Sequence, residues 1–127
     1  MHENELAKIV VDIAYKIHRK LGPGLFESVY QTVLIHELRK IEISVESEVP
    51  VPVVCDEVRL EIGFVADVIV DGKLILELKS LQQMSRIHEK QLLTYLRLTN
   101  CRLGLLINFG AELIRDGITR VVNGLTE

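Results

Sequence analysis

Two segments near the amino terminus carry apolar residues at helical spacing. The first runs from Asn4 to Leu21 and the second from about Leu25 to Lys40. In both, apolar residues recur every three or four positions, which is typical of a helix with one buried face. Gly22-Pro23-Gly24 separates them, because proline cannot continue a helix and glycine permits a turn. The pattern therefore predicts two consecutive helices.

Beyond residue 41 the apolar period falls to two. From Val45 to Val53, valines alternate with glutamate or proline, which predicts a strand with one wet face. The two prolines favour a sheet edge or an irregular strand, since proline cannot donate to a strand ladder. Val58 to Val70 and Lys73 to Lys79 are predicted to be two further strands. They are joined around Asp71-Gly72, a dipeptide common in hairpin turns.

The last third of the chain returns to helical spacing and then ends in strands. A third helix is predicted between Ser85 and Thr99. Arg102 to Phe109 is an almost continuous apolar run, typical of a strand covered on both faces. A short strand, Ile118 to Val122, follows Asp116-Gly117. The predicted order is helix, helix, three strands, helix and strand, with or without one more strand, which is an α/β fold with helices flanking a mixed sheet.

Composition limits the broad class of protein. A chain of 127 residues with 48% hydrophobic content suits one domain spanning residues 1–127. The net charge is −3, so no overall positive field points to a nucleic-acid partner. From Lys79 to Arg102, however, five basic residues accompany a single acid, Glu89. That stretch is either a solvated helix face or a local footprint for phosphate.

The remaining composition describes the expected compartment. The two cysteines, Cys55 and Cys101, form no CxxC pair, so reduced thiols are expected rather than a disulfide framework. The acidic start of the chain lacks the pattern of a signal peptide. No apolar run approaches the roughly 20 residues that a membrane span needs. We therefore expect a cytoplasmic protein without membrane contact.

Three charged residues interrupt strands that are otherwise apolar: Asp67, Glu77 and Lys79. Charges inside buried strands are costly unless they are paired or bind a metal. Two carboxylates suit a hard cation such as Mg²⁺, and an adjacent lysine suits the activation of water at a phosphodiester. The alternative is a buried Asp/Glu–Lys cluster, or strand ends that reach solvent. The spacing D-x9-E-x-K is weak when taken alone.

Motifs along the whole chain change that assessment. Gly24 to Tyr30 matches GxxExxY, and it is followed in order by Ala66-Asp67, Glu77-Leu78-Lys79, His88 to Leu96, and Gly104 to Phe109. Together these segments closely resemble the GxxExxY protein family, which is placed in the PD-(D/E)XK nuclease superfamily. The resemblance runs from about Ala7 to Asn123. Ala66 stands where the superfamily motif names a proline.

The resemblance implies a fold, a reaction and a set of site residues. The fold would be the PD-(D/E)XK, restriction-endonuclease-like core, and the reaction would be Mg²⁺- or Mn²⁺-dependent hydrolysis of phosphodiesters, with DNA as the expected substrate. Asp67 and Glu77 would bind the metal, joined by Glu27 and the carbonyl of Leu78. Lys79 would assist the attacking water, while Gln91 and Tyr95 would orient the lysine and the scissile strand. Predicted substrate contacts are Tyr30, Arg86, Lys90 and Arg97.

Each added residue also has a structural interpretation. Glu27 lies in the first turn of a helix, where the helix dipole favours any acid. Tyr30 and Tyr95 are equally typical of core aromatics with a satisfied hydroxyl, and Gln91 of a surface residue. For the whole protein, the alternative is a non-catalytic binding or assembly module that keeps the fold. One small domain offers little surface to grip a duplex, so a homodimer or a complex with a partner protein is a further expectation.

The hairpin register provides a test of the metal-site hypothesis. Facing residues of a hairpin share one side of the sheet. A two-residue turn at Asp71-Gly72 would pair Asp67 with Leu76 and would turn Asp67 away from Glu77. A shared site therefore requires an odd-numbered loop or a β-bulge, which we predict at Asp71 to Lys73 or beside Asp67.

Overall fold

The computed structural model describes residues 1–126 of the chain. Two helices come first and three strands follow; the rest of the chain alternates helices with strands. The elements are α1 (Glu3–Leu21), α2 (Glu27–Lys40), β1 (Val45–Cys55), β2 (Val58–Val70), β3 (Leu74–Lys79), α3 (Arg86–Thr99), β4 (Leu103–Asn108), α4 (Ile114–Gly117) and β5 (Ile118–Val122). The predicted order of helices and strands is confirmed, and the four-residue helix α4 is added to it.

The strands form one mixed sheet with the order β1-β2-β3-β4-β5. β3 and β4 run parallel, and α3 connects them, whereas the other neighbouring strands are antiparallel. Because β3 and β4 are parallel neighbours, their carboxyl ends meet at the same edge of the sheet. Lys79 and Asn108 therefore lie side by side as register partners at that edge.

Helices cover both faces of the sheet. The larger hydrophobic cluster joins α1 and α2 to one face, and a smaller cluster joins α3 to the other. The sheet residues alternate between the two clusters: Leu74, Leu76 and Leu78 belong to the first, and Ile75 and Leu106 to the second. Every residue of β4 is buried, as its continuous apolar sequence predicts.

The proline-containing strand β1 lies at the edge of the sheet and is also irregular. Its register against β2 shifts between Val51 and Val53, around Pro52. Both features follow from proline, which cannot donate a ladder hydrogen bond and is tolerated at edges and bulges. Within residues 1–126, no helix is long and apolar enough to cross a membrane.

The connection between β2 and β3 is a three-residue loop. Val70 pairs with Leu74, which leaves Asp71, Gly72 and Lys73 outside the ladder. Asp71 and Gly72 adopt positive φ angles of 52° and 65°, a conformation that Gly and, less readily, Asp can take. The predicted odd-numbered loop is confirmed. The loop sets the register so that Asp67 and Glu77 occupy the facing positions next to the Val68–Leu76 pair.

Candidate functional site

Asp67 lies at the point where β2 and β3 stop pairing. Their ladder extends from the Val70–Leu74 pair to the Val68–Leu76 pair. At the next position a side-chain contact replaces the backbone pairing: the Asp67 Oδ2 accepts a hydrogen bond from the Leu78 N–H at 2.9 Å. The carboxylate is thereby fixed against β3, beside Glu77.

Glu77 is a buried carboxyl group with too few hydrogen-bond partners for its two oxygen atoms. Its side chain is 8% exposed, and within residues 1–126 its Oε1 atom has no hydrogen-bond partner. Burial, and then the negative charge of Asp67, raise the pKa of Glu77 to about 8. Burial also raises the pKa of Asp67; the hydrogen bond from Leu78 opposes this shift, and the charges of Glu48 and Glu27 reinforce it. The two carboxyl groups are therefore difficult to ionise together unless a cation is bound.

The donor set partly fits a divalent metal ion. The carboxylate oxygens of Asp67 and Glu77 are the hard ligands that Mg²⁺ and Mn²⁺ prefer. A cation there would satisfy the unpartnered Oε1 atom and would favour ionisation of both groups. Glu27, the first residue of α2, is exposed, although its charge reaches Asp67. Residues 1–126 contain no group of three or more His, Cys, Asp or Glu side chains that could hold a metal, so Glu27 and the Leu78 carbonyl stay predicted ligands.

Lys79 is the last residue of β3 and lies two positions beyond Glu77. Side chains at i and i+2 of a strand share one face. Its positive charge lowers the pKa of both Asp67 and Glu77, although burial prevails in each case. Among the ion pairs of residues 1–126 none involves Lys79, so the ammonium group is near the carboxylates without being tied to either.

Tyr95 of α3 faces the same carboxylates. Its ring stacks on Phe64 with centroids 4.0 Å apart and an interplanar angle of 8°. Burial, followed by the charges of Glu77 and Asp67, raises the pKa of Tyr95. The residue is partly buried against the smaller hydrophobic cluster, and it also lies within electrostatic reach of the site. Gln91, one turn earlier on α3, is exposed.

The predicted substrate contacts divide into two groups. Arg86, Lys90 and Arg97 are exposed on α3 and are free of ion pairs within the described residues. Tyr30, in contrast, is 0% exposed and stacks on Phe109 at 4.4 Å, so the prediction that it contacts substrate is wrong. Its hydroxyl donates to the Gly22 carbonyl at 2.6 Å and accepts from the Leu25 N–H at 3.1 Å. Tyr30 instead fixes the loop that leads into α2.

Asn108 is a structural residue of the site to which no role is assigned from the sequence. It is 2% exposed at the end of β4. Its Oδ1 accepts from the N–H groups of Leu81 and Gly110 at 2.9 Å and 3.0 Å, and its Nδ2 donates to the Leu81 carbonyl at 3.0 Å. The side chain clamps the segment that follows Lys79. The sequence feature that could have indicated this role is a side-chain amide at the end of an apolar run.

Gln31 is a second such residue and connects α2 to the acidic positions. Its Nε2 donates to Glu48 Oε1 at 2.9 Å and to the Asp67 carbonyl at 3.0 Å. Glu48 has a φ angle of 51°, and the register places it opposite Asp67 on β1. Gln31 follows Glu27 by one helical turn, which is the only sequence sign that both side chains face the sheet edge.

We expect Asn108→Ala to lower the free energy of unfolding by about 1–3 kcal/mol, because three partly buried backbone groups of Leu81 and Gly110 lose their hydrogen bonds. Urea unfolding followed by circular dichroism measures the change. Asn123→Ala is the matched control, since within residues 1–126 the Asn123 Nδ2 makes a single hydrogen bond, to the Cys101 carbonyl at 3.1 Å. An effect at Asn108 no larger than the effect at Asn123 would show that the clamp does not stabilise the fold.

Comparison with known proteins adds one finding. A family model described as the PD-(D/E)XK nuclease superfamily matches residues 4–121. The match therefore includes β1 to β4, all but the last residue of β5, and the residues of the site. No curated protein and no solved structure matches the chain.

Proposed function

Because the chain belongs to the PD-(D/E)XK nuclease superfamily, we propose that it is a metal-dependent nuclease that hydrolyses phosphodiester bonds in DNA. One observation carries the proposal: Asp67 and Glu77 meet across β2 and β3, and the Glu77 Oε1 atom is buried without a partner among the described residues. Assignment to the GxxExxY family is part of the same proposal and rests on the motifs between Gly24 and Phe109.

Each residue of the site has a defined role in this proposal. Asp67 and Glu77 hold Mg²⁺ or Mn²⁺, and Glu27 and the Leu78 carbonyl are the proposed additional ligands. When bound, the cation polarises the phosphodiester and stabilises the charge that develops during hydrolysis. The Lys79 ammonium group orients the attacking water, since it lies on the face of Glu77 and forms no ion pair within residues 1–126. The amide of Gln91 and the hydroxyl of Tyr95 position the scissile strand from α3.

The exposed basic residues of α3 supply the proposed phosphate contacts. Arg86, Lys90 and Arg97 lie on the helix that also carries Gln91 and Tyr95. A protein with a net charge of −3 has no general attraction for DNA, so local contacts of this kind are needed to hold the backbone.

A second candidate function is a non-catalytic assembly module. It is favoured by the apolar side chains exposed on the part of the β1–β2 hairpin that does not pair with β3, which include Val54, Val58, Leu60 and Ile62. Exposed apolar surface of this kind is typical of contact with a partner protein or a second copy of the chain.

Cleavage assays with Asp67→Asn distinguish the two functions. We expect the wild type to cut DNA only with Mg²⁺ or Mn²⁺, and Asp67→Asn to lose more than the roughly 10- to 100-fold that removal of an outer-shell partner costs. The amide oxygen of the substituted side chain can still accept from the Leu78 N–H, so the variant should fold. Asp56→Asn, at the exposed turn between β1 and β2, is the control. Binding of DNA without cleavage under any metal would support a non-catalytic binding module that keeps the fold.

A further inference from the structure

Phe26 is unusually exposed for an aromatic residue of this chain. Its side chain is 83% exposed, more than any other large hydrophobic residue among residues 1–126. The other two phenylalanines and the three tyrosines are all at least partly buried. Leu25 and Val29, close to Phe26 in the chain, are exposed as well. Phe26 therefore belongs to a small apolar patch at the start of α2.

Neither the helix nor the core accounts for a phenylalanine at this position. Phe26 is the N-cap residue of α2, with φ −65° and ψ 147°, and its side chain makes no capping hydrogen bond. Ser, Thr, Asp and Asn are the residues that stabilise a helix there, because their side chains accept from the first free N–H groups. The buried side of α2 begins only at Tyr30.

The position of Phe26 relative to the carboxylates is informative. Phe26 lines an open cavity of about 550 Å³ together with Gly24, Leu25, Glu27, Ser28 and Ser80. The Ser80 Oγ donates to the Leu25 carbonyl at 2.6 Å, which ties the Phe26 loop to the residue that follows Lys79. Glu27, the residue after Phe26, raises the pKa of Asp67 through its negative charge. The ring thus stands at the rim of a cavity beside the proposed site.

We propose that Phe26 stacks on an unpaired base of the substrate and that the preferred substrate is single-stranded DNA; this inference rests on the proposed nuclease function. Base faces are covered by their neighbours in a duplex, so a ring that stacks there must first unstack a base step, whereas an unpaired base offers its face without that cost. Stacking also does not depend on a large positive field, which this protein lacks.

Tryptophan fluorescence tests the stacking directly. The chain contains no tryptophan, so Phe26→Trp introduces a single fluorophore at this position. We expect saturable quenching when a single-stranded oligothymidylate is added, in EDTA or in Ca²⁺, and no comparable quenching with a duplex. Val58→Trp is the matched control, because Val58 is 63% exposed but lies at the far end of β2; its fluorescence should not change.

Affinity measurements with Phe26→Ala complete the test. In Phe26→Ala we expect a Kd for single-stranded DNA about tenfold higher than in the wild type, with the Kd for duplex DNA and the Tm unchanged. Phe26→Tyr should keep the wild-type Kd for single-stranded DNA. Cleavage by the wild type with unchanged affinity in Phe26→Ala would overturn the stacking inference and leave the nuclease standing. Quenching of Phe26→Trp by single strands in a protein that cuts no DNA would support the stacking surface and count against the nuclease. Equal quenching by duplex and single-stranded DNA would overturn the preference.

Discussion

Replacing Lys79 with methionine is expected to reduce metal-dependent DNA cleavage by roughly 10²- to 10⁴-fold, the range that a positioned proton-transfer or water-orienting group contributes. Methionine keeps most of the length and apolar surface of the lysine stem and removes the ammonium group. Asp67 and Glu77 remain, so binding of Mn²⁺ should persist. Single-turnover cleavage rates, measured alongside Mn²⁺ affinity by calorimetry, separate the two effects.

Lys73→Met is the matched control for this variant. Lys73 lies in the loop at the other end of β3, where its ammonium group is 4.0 Å from the Asp71 carboxylate and donates to the Met1 carbonyl at 2.7 Å. The same chemical change should leave cleavage unaltered there. A cleavage rate in Lys79→Met within about threefold of the wild type, with metal binding intact, would remove Lys79 from the mechanism; threefold is well below the effect of a catalytic group.

The register of the β2–β3 hairpin could be predicted from the sequence because a shared metal site requires Asp67 and Glu77 to lie on the same side of the sheet. The local sequence Asp71-Gly72 favours a two-residue turn, but such a turn would have separated Asp67 from Glu77 across the sheet. The structure adopts the three-residue loop instead, with Val70 paired to Leu74. A requirement for two charged residues to share one site was thus more informative than the preference of the turn dipeptide.

The roles of the polar residues around the site were less accessible. Tyr30 belongs to a motif that suggests substrate contact, yet burial against Phe109 decides that it is structural. The contribution of Asn108 depends on the Leu81 backbone, which reaches it only because β3 and β4 are parallel neighbours. Partners separated in sequence by a helix leave no periodic signal. Helix α4, with four residues, is likewise too short to show a helical period.

The metal-free protein is expected to lose stability as the pH rises from about 5 to 8. The folded-state pKa of Glu77 is about 8, against an ordinary value of 4.5, so the folded state keeps a proton that the unfolded state has released. The penalty is absent below pH 4.5, grows as the pH rises and is complete above about 8. At about 1.4 kcal/mol per pH unit, the loss between pH 5.5 and 8 is up to about 3 kcal/mol. The raised pKa of Asp67 acts in the same direction.

Urea unfolding in EDTA across this pH range, repeated with Glu77→Gln, assigns the loss to its source. Glutamine resembles the protonated acid in shape and cannot ionise, so the variant should be more stable than the wild type at pH 8 and its pH dependence should flatten. Glu112→Gln, on the exposed loop after β4, should retain the full wild-type slope. Mn²⁺ at about 100 times its Kd should stabilise the wild type at pH 8 by about 2.7 kcal/mol, and the Glu77→Gln variant by much less. A flat wild-type profile in EDTA would mean that Glu77 is not desolvated, which would remove the physical basis for placing a cation beside it.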